Sequence, residues 1–324
     1  LLPFPRTKGH LNDSLQASIS VENPEHILFV QHGWADNCSK VERLAQSVAG
    51  SNTVIVAPSL GYINTWIRIR PLIEKVERIF LEKLEQYPHA TARIVGHSMG
   101  GLIWLEVLHR HPELWSRVNS VVLVASPVGG ADLARIIDPF ELGIGIARDL
   151  GKNRRAIAEE IAANIPTLVI AGDIDHGSDG TITVACTRVH GTKFICLPDL
   201  EHAILSHHTA VASSIQQFWA EADSLEPTTD EEALIETLIH RLHQVPGFTD
   251  GHYRDFRWAH RYLEFDYGIT LRTWRNPIGI QHVFIACAQG RCHHAGFVGW
   301  QHDRTLTEAL ESLKQEFQAA LVVH

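Results

Sequence analysis

The stretch "IVGHSMGGLIW", residues 94–104, places Ser98 between Gly96 and Gly100, where a short apolar run meets a helical pattern. It satisfies G-x-S-x-G, a pattern in which the serine occupies a strained turn and exposes its hydroxyl at the carboxyl end of a strand. Side chains at the two glycines would collide with the neighbouring strand and helix. Five positions with three fixed also match by chance, and Ser98 is then only a small polar residue at a junction. The flanking strand and helix patterns favour the nucleophile.

Length and composition limit the class of protein. The chain has 324 residues, of which 45% are hydrophobic and 20% charged, values typical of a soluble globular protein. This length predicts one large domain and one smaller domain. The formal net charge is −9 and there is no long basic run. The charge argues against nucleic acid or an anionic membrane surface as the main partner.

Two further features concern the cellular compartment. No apolar stretch is as long as a membrane span, and the opening "LLPFPRTKGH" lacks the charged start and apolar centre of a signal peptide. We therefore expect a cytoplasmic protein without a transmembrane segment. The chain does not begin with Met, so a segment removed ahead of residue 1 stays an open alternative. The 5 cysteines are scattered, which predicts free thiols in a reducing compartment.

Six short β-branched runs alternate with helical patterns over the first two thirds of the chain. The runs are "HILFVQH", "TVIVAP", "ARIVGH", "SVVLVAS", "PTLVIAG" and "TKFICLP". Their continuous apolarity predicts strands that are covered on both faces, and the alternation with helices predicts a parallel sheet in an α/β domain. The helices are expected near residues 38–50, 64–87, 99–111 and 203–219, with the second becoming regular near Pro71.

The chain divides into two predicted domains. Residues 1–222 form the α/β domain, and the long connection at about 127–165 is either a short helical lid insertion or a packed pair of peripheral helices. The acidic residues 223–231 are a linker. Residues 232–324 form a small α+β domain, with helices near 232–243 and 304–320 around a small antiparallel sheet with strands near 268–275, 280–288 and 294–300.

A serine hydroxyl becomes a useful nucleophile when a base lies beside it and a carboxylate orients that base. His202, in "PDLEHAILSHH", directly follows the last predicted strand, whereas His207 and His208 fall inside the next helical pattern. The acid is less clear from the residues alone. The segment "AGDIDHGSDGTITV" offers three candidates after one strand, namely Asp173, Asp175 and Asp179.

Residues from about 26 to 219 resemble the α/β-hydrolase superfamily, and within it the small lipases and esterases. The motifs are "HGW", "GHSMGG", "SPVGG", "SDGTITV" and "EHAIL". The resemblance implies an α/β-hydrolase fold with a mostly parallel sheet of about six strands. It further implies a nucleophile, an acid and a base at Ser98, Asp179 and His202, with Asp173 as the alternative acid.

The same resemblance implies that two backbone N–H groups, those of Trp34 and Met99, hold the oxyanion. Two positions depart from the pattern. Glu201 precedes the base where lipases and esterases often have glycine, and "HGW" lacks the further glycines of the "HGGG" type. The second departure argues against the esterase subgroup that carries the glycine-rich loop.

The sequence therefore predicts a serine hydrolase that cleaves a carboxylic ester with an apolar acyl group. We expect such an enzyme to need no cofactor. An acyltransferase or a thioesterase would use the same triad. A different class stays open as well, a catalytically silent scaffold that binds a protein through the aromatic residues of 232–324.

The segment "CAQGRCHH" contains four residues of types that bind metal ions, Cys287, Cys292, His293 and His294. The spacing differs from that of zinc motifs, and adjacent His293 and His294 would point to opposite faces of a strand. We expect no metal there.

Overall fold

The computed structural model describes residues 23–33, 38–61, 68–130, 149–221 and 229–317. These residues form a six-stranded sheet and a five-stranded sheet. Residues 131–148 of the predicted lid-like insertion lie outside the described residues, as does most of the predicted linker.

The first sheet is entirely parallel and has the strand order β2-β1-β3-β4-β5-β6. All six strands predicted from the apolar runs are confirmed. Their bounds are β1 His26–Gln31, β2 Thr53–Val56, β3 Thr91–His97, β4 Val118–Val124, β5 Thr167–Asp173 and β6 Lys193–Pro198. Because the strands are parallel, the segments that follow them all leave from one edge of the sheet, and Ser98 follows the central strand β3.

Helices cover both faces of this sheet. They are α1 Cys38–Val48, α2 Arg70–Gln86, α3 Met99–Arg110, α4 Arg155–Ala162, α5 Val184–Thr187, α6 His202–Leu205 and α7 Thr209–Ala220. In β1 the alternate residues Ile27 and Phe29 join the core beneath α2 and α3, while Leu28 and Val30 join the core beneath α1 and α7. The continuous apolarity of the strand thus reflects burial on both faces. The order of the parallel strands and the helices on both faces confirm the predicted α/β-hydrolase fold.

The predicted single helix at 203–219 is wrong, because the chain forms α6 and α7 instead. Ser206 ends α6, and its hydroxyl donates to the Ala203 carbonyl at 2.7 Å. His208 then caps α7, with its Nδ1 accepting from the Ala210 N–H at 3.2 Å. These side-chain bonds compete with the helix backbone and break the helix between Leu205 and Thr209. As a result His202 is the first residue of a short helix.

The second sheet is antiparallel, with the order β7-β11-β10-β9-β8. The three predicted strands are present as β9 Thr270–Arg275, β10 Gln281–Ala286 and β11 Cys292–Val298, but the prediction missed β7 Phe248–Asp250 and β8 His260–Glu264. β7 has only 3 residues and β8 is mostly exposed, so neither has an apolar pattern. The helices α8 Asp230–His243 and α9 Asp303–Glu316 pack on this sheet.

Residues 229–317, which we call the C-terminal region, contact the first sheet directly. Ala171 at the end of β5 and Ala185 of α5 share a buried apolar cluster with Tyr253 and Phe284. Beside this cluster, the guanidinium of Arg155 donates to Asp250 at 2.9 Å. Burial alone would raise the pKa of Asp250, but the Arg155 charge and the hydrogen bond from His243 hold it well below its usual range. The buried carboxylate is therefore ionised.

Thr229 and Glu232 form a capping box at the start of α8, so the helix begins inside the segment predicted as a linker. The division into domains at 223–231 remains a prediction. Among the described helices, none is both long and apolar enough to cross a membrane.

We predict that Gly100→Ala destabilises the protein by about 3 kcal/mol. A Cβ at position 100 would lie 2.3 Å from the backbone oxygen of Gln31, which cannot move without disturbing β1. The free energy of unfolding in urea measures the effect. Gly50→Ala is the matched control, because its Cβ would meet nothing closer than the Thr53 hydroxyl at 3.8 Å. Equal stability of the two variants would contradict the close packing of α3 on β1.

Candidate active site

Ser98 stands at a sharp turn between β3 and α3. Its φ of 55° and ψ of −126° lie in a region that residues other than glycine rarely adopt. The Ser98 N–H donates to the Val124 carbonyl at 2.8 Å, which ties the turn to the end of β4. This is the backbone geometry of a nucleophile elbow.

Three glycines allow the chain to come close to this turn. A Cβ on Gly96 would lie 2.4 Å from Cα of Gly101, so only glycine lets β3 and α3 approach so closely. Gly33, which follows β1, lies over the serine itself, since its Cβ would be 2.8 Å from Ser98 Cβ and 3.2 Å from Ser98 Oγ. The "HG" motif thus reaches the candidate nucleophile.

His32 supports Gly33 from below. Its Nδ1–H donates to the Gly33 carbonyl at 3.0 Å and its Nε2 accepts from the Leu60 N–H at 3.1 Å. The ring is fully buried. Both ring nitrogens are engaged, so the neutral tautomer with the proton on Nδ1 is fixed, and with it the loop beside Ser98.

His202 and Asp179 are in direct contact. The Nδ1–H of His202 donates to Oδ2 of Asp179 at 2.7 Å, and the His202 backbone N–H donates to the Asp179 carbonyl at 3.0 Å. In the neutral ring this leaves Nε2 as the atom that can accept a proton. The carboxylate is buried and the imidazole is largely buried, with side-chain exposures of 2% and 16%.

The second oxygen of Asp179 fixes the carboxylate in its loop. Oδ1 accepts from the backbone N–H groups of Thr181 at 2.9 Å and Ile182 at 2.6 Å. The carboxylate is therefore held in one orientation, with Oδ2 facing the His202 ring.

The other two candidate acids, Asp173 and Asp175, accept hydrogen bonds from backbone N–H groups of the same loop. Asp173 Oδ1 accepts from the backbone N–H groups of Gly177 at 2.8 Å and Asp175 at 3.3 Å. Asp175 accepts from the Ser178 N–H at 2.8 Å. Both side chains shape the loop that carries Asp179, as capping aspartates commonly do.

His97 is a site residue that the sequence analysis missed. Its Nε2–H donates to the His202 carbonyl at 3.0 Å, and the two rings lie with centroids 4.9 Å apart. Burial, and after it the charge that His202 can carry, lower the pKa of His97 to about 3, so this ring is neutral. The signal was its position directly before Ser98, which brings it to the same edge of the sheet as the base.

The predicted oxyanion donors differ in what can be described. Met99 is the first residue of α3, so its N–H has no acceptor within the helix and lies beside the positive end of the helix dipole. Trp34 lies outside the described residues, and its role stays a prediction.

The C-terminal region braces the loop of the candidate acid. His252 Nε2 lies 3.1 Å from Asp175 Oδ1, and the backbone of Gly177, whose φ is +153°, lies directly against Tyr253. Tyr253 is itself buried, with its hydroxyl donating to the His293 carbonyl at 2.7 Å. The resemblance covered only the first two thirds of the chain and gave no indication of this contact.

The 5 cysteines all lie in the described part of the chain, and none of them forms a disulfide bond there. His293 and His294 follow one another in β11, where His294 is buried and His293 is less so. The pairing of β11 with β10 is irregular at His293, so the expected alternation of the two side chains stays a prediction.

A scan against protein-family models and a search of curated proteins found no match. Solved structures do resemble the chain. The lipase BlEst2 of Bacillus licheniformis has a TM-score of 0.48 at 15% identity, covering 64% of this chain and 96% of its own. Est1E of Butyrivibrio proteoclasticus with bound ferulic acid has 0.46 at 12%, with coverages of 63% and 92%.

The RedJ thioesterase of the prodiginine pathway in Streptomyces coelicolor has a TM-score of 0.40 at 14% identity and covers 61% of this chain and 92% of its own. These are distant likenesses. The assignment of the fold depends on the sheet order and the elbow of the chain itself.

We predict that His97 makes the protein less stable in acid. The folded-state pKa of about 3 lies below the ordinary histidine pKa of 6.5, so between these pH values the unfolded chain binds a proton that the folded chain does not. Stability is then lost as the pH falls, with a contribution of up to about 1.4 kcal/mol per pH unit. His97→Phe keeps a buried ring and removes the proton site.

Urea unfolding from about pH 6.5 down to pH 4 measures the difference. The unfolding free energy of the wild type should fall more steeply with acid than that of His97→Phe. Parallel curves for the two proteins would contradict a neutral, buried His97.

Proposed function

We propose that the protein is a serine hydrolase that cleaves carboxylic esters through an acyl-enzyme, with Ser98, His202 and Asp179 as its triad. The observation that carries the proposal is the 2.7 Å hydrogen bond from His202 Nδ1 to Asp179, at the edge of the sheet where Ser98 occupies a strained turn. The acyl group is proposed to be apolar.

In the first step Ser98 Oγ attacks the ester carbonyl carbon while His202 Nε2 takes the hydroxyl proton. The negative charge that develops on the carbonyl oxygen is held by backbone N–H groups, for which Met99 and Trp34 are the proposed donors. Each such donor is worth a few kcal/mol of the barrier. Collapse of the intermediate breaks the ester bond, and the leaving alkoxide receives the proton from His202.

In the second step water attacks the acyl-enzyme. His202 takes a proton from the water and returns it to Ser98 Oγ, which releases the carboxylic acid and restores the enzyme. Asp179 acts through the ring: it holds the proton on Nδ1 and stabilises the imidazolium that forms in both steps. The two backbone hydrogen bonds to Oδ1 support this role, because they hold the Asp179 carboxylate in place.

Ser98→Ala should lower the rate of ester hydrolysis by roughly 10⁴- to 10⁶-fold, because the acyl-enzyme can no longer form. The assay follows chromogenic esters of increasing acyl length, with a thioester of the same acyl group in parallel. A rate that rises with chain length supports an apolar acyl group. Ser47→Ala, which removes a helix hydroxyl bonded to the Leu44 carbonyl, is the control and should retain activity. Full activity in Ser98→Ala, or none in the folded wild type, would refute the proposal.

Asp179→Asn should lower kcat by about 10⁴-fold, because an amide favours the wrong tautomer of His202. Asp173→Asn is the matched variant. Its side-chain oxygen can still accept from the N–H groups of Gly177 and Asp175, so most of the turnover should remain. Comparing kcat for the two variants identifies the acid. The reverse order of effects would assign that role to Asp173.

A further inference from the structure

A second group of polar side chains lies in the C-terminal region, on three different elements. His243 is the last residue of α8, Asp250 the last residue of β7, and His294 lies in the middle of β11. Their side chains are 7%, 2% and 0% exposed. One donor atom from each lies within 4.8 Å of the others.

Asp250 is the centre of the group. Its Oδ2 accepts from the Arg155 guanidinium at 2.9 Å, and its Oδ1 accepts from His243 Nε2 at 3.0 Å. His294 Nε2 faces the same Oδ1 from 3.7 Å, beyond hydrogen-bond distance. One carboxylate oxygen thus has a cationic partner, and the other is shared by two imidazole rings.

A purely structural role does not explain why a histidine is buried at position 294. Within the described part of the chain, neither of its ring nitrogens has a hydrogen-bond partner, although the residue is fully buried. Phe248 stacks on the ring with centroids 6.1 Å apart, and the His243 ring meets it edge-on at 4.8 Å. Burying a polar ring without partners is costly, so its lone pair is expected to serve a ligand.

We propose that His243, Asp250 and His294 bind a divalent cation of the zinc class, through Asp250 Oδ1, a ring nitrogen of His294 and His243 Nε2, whose proton the cation displaces. Two imidazoles and a carboxylate are a donor set that suits this class. Bonds of about 2.0–2.1 Å in a tetrahedral site place donor atoms about 3.3–3.4 Å apart. The separations of 3.0 and 3.7 Å from Oδ1 lie on either side of that value.

Arg155 takes the role of an outer partner. A carboxylate that binds a metal through one oxygen is commonly hydrogen-bonded through the other, which fixes its orientation. The positive charge of Arg155 also weakens the attraction of a cation. We therefore expect a lower affinity than that of all-cysteine zinc sites.

The bound ion would join α8, β7 and β11 within the C-terminal region. Through Asp250 and Arg155 it would also support the contact with α4 of the first sheet. This site shares no residue with the proposed triad, so its occupancy and the function of Ser98 can fail independently.

The experiment begins with the full-length wild type. The protein is stripped with a chelator, dialysed, and titrated with Zn²⁺ alone in a calorimeter, and the bound metal is measured by elemental analysis. We expect one ion per chain and a rise in thermal midpoint on adding Zn²⁺. Protein labelled with ¹⁵N-histidine should show two imidazoles whose nitrogen signals move on binding.

His294→Phe keeps a ring that stacks on Phe248 and removes one ligand. His293→Phe is the matched control at the adjacent strand position, where the side chain is less buried than that of His294. The first variant should lose the stoichiometric Zn²⁺ site and the rise in thermal midpoint, and the control should keep both.

Wild-type protein that binds no Zn²⁺, or a His294→Phe variant that binds it as well as the wild type, would overturn the proposal. If His294→Phe does not fold, the histidine signals of the wild type decide. Movement of two imidazoles with one equivalent of Zn²⁺ supports the site, and unmoved signals refute it.

Discussion

The backbone of Ser98 is held at a φ of 55°, and the arrangement of the candidate site depends on this constraint. A strained residue of this kind costs about 1–3 kcal/mol and persists only where the surrounding packing leaves no alternative. Here β3, β4 and α3 supply that packing. The Ser98 N–H is bonded to the end of β4, and Gly96 and Gly101 let the strand and the helix meet almost in backbone contact. The serine is thereby lifted above the sheet at its carboxyl edge, where His202 and Asp179 also lie.

The positions of the acid and the base depend on a second constraint, the loop after β5. Backbone N–H groups hold Asp179 from within the loop, while Asp173 and Asp175 cap its turns. On its outer side the loop meets His252 and Tyr253 of the C-terminal region. The C-terminal region therefore packs directly against the loop that carries the candidate acid.

Much of the fold could be predicted from the sequence because its signals are local. A strand buried on both faces reads as a continuous apolar run, and all six runs became strands. The short strand β7 and the exposed strand β8 had no such pattern, so three of the five C-terminal strands were foreseen. The break between α6 and α7 arose from side-chain capping by Ser206 and His208, which competes with an otherwise helical pattern.

In the candidate site, too, the residues with local sequence signals could be predicted and those that depend on distant contacts could not. Ser98 and His202 stand beside recognisable strand ends, and a hydrogen bond joins His202 to Asp179, for which the resemblance implies the role of the acid. The support from His97 and from the C-terminal region depends on contacts between residues far apart in the chain. The group around Asp250 likewise combines residues of three elements, and their spacing in the chain matches no metal-binding motif. The sequence prediction of no metal therefore concerned only the residues of "CAQGRCHH".

The nucleophilic role of Ser98 is tested most directly with a fluorophosphonate probe. Such a probe reacts with a serine that an adjacent base activates, and the adduct is located by mass spectrometry of the digested protein. We predict one phosphonyl group per chain, on the peptide that contains Ser98, and no labelling of the folded His202→Ala variant. A folded wild type that stays unlabelled, or a label on another side chain, would contradict the assignment.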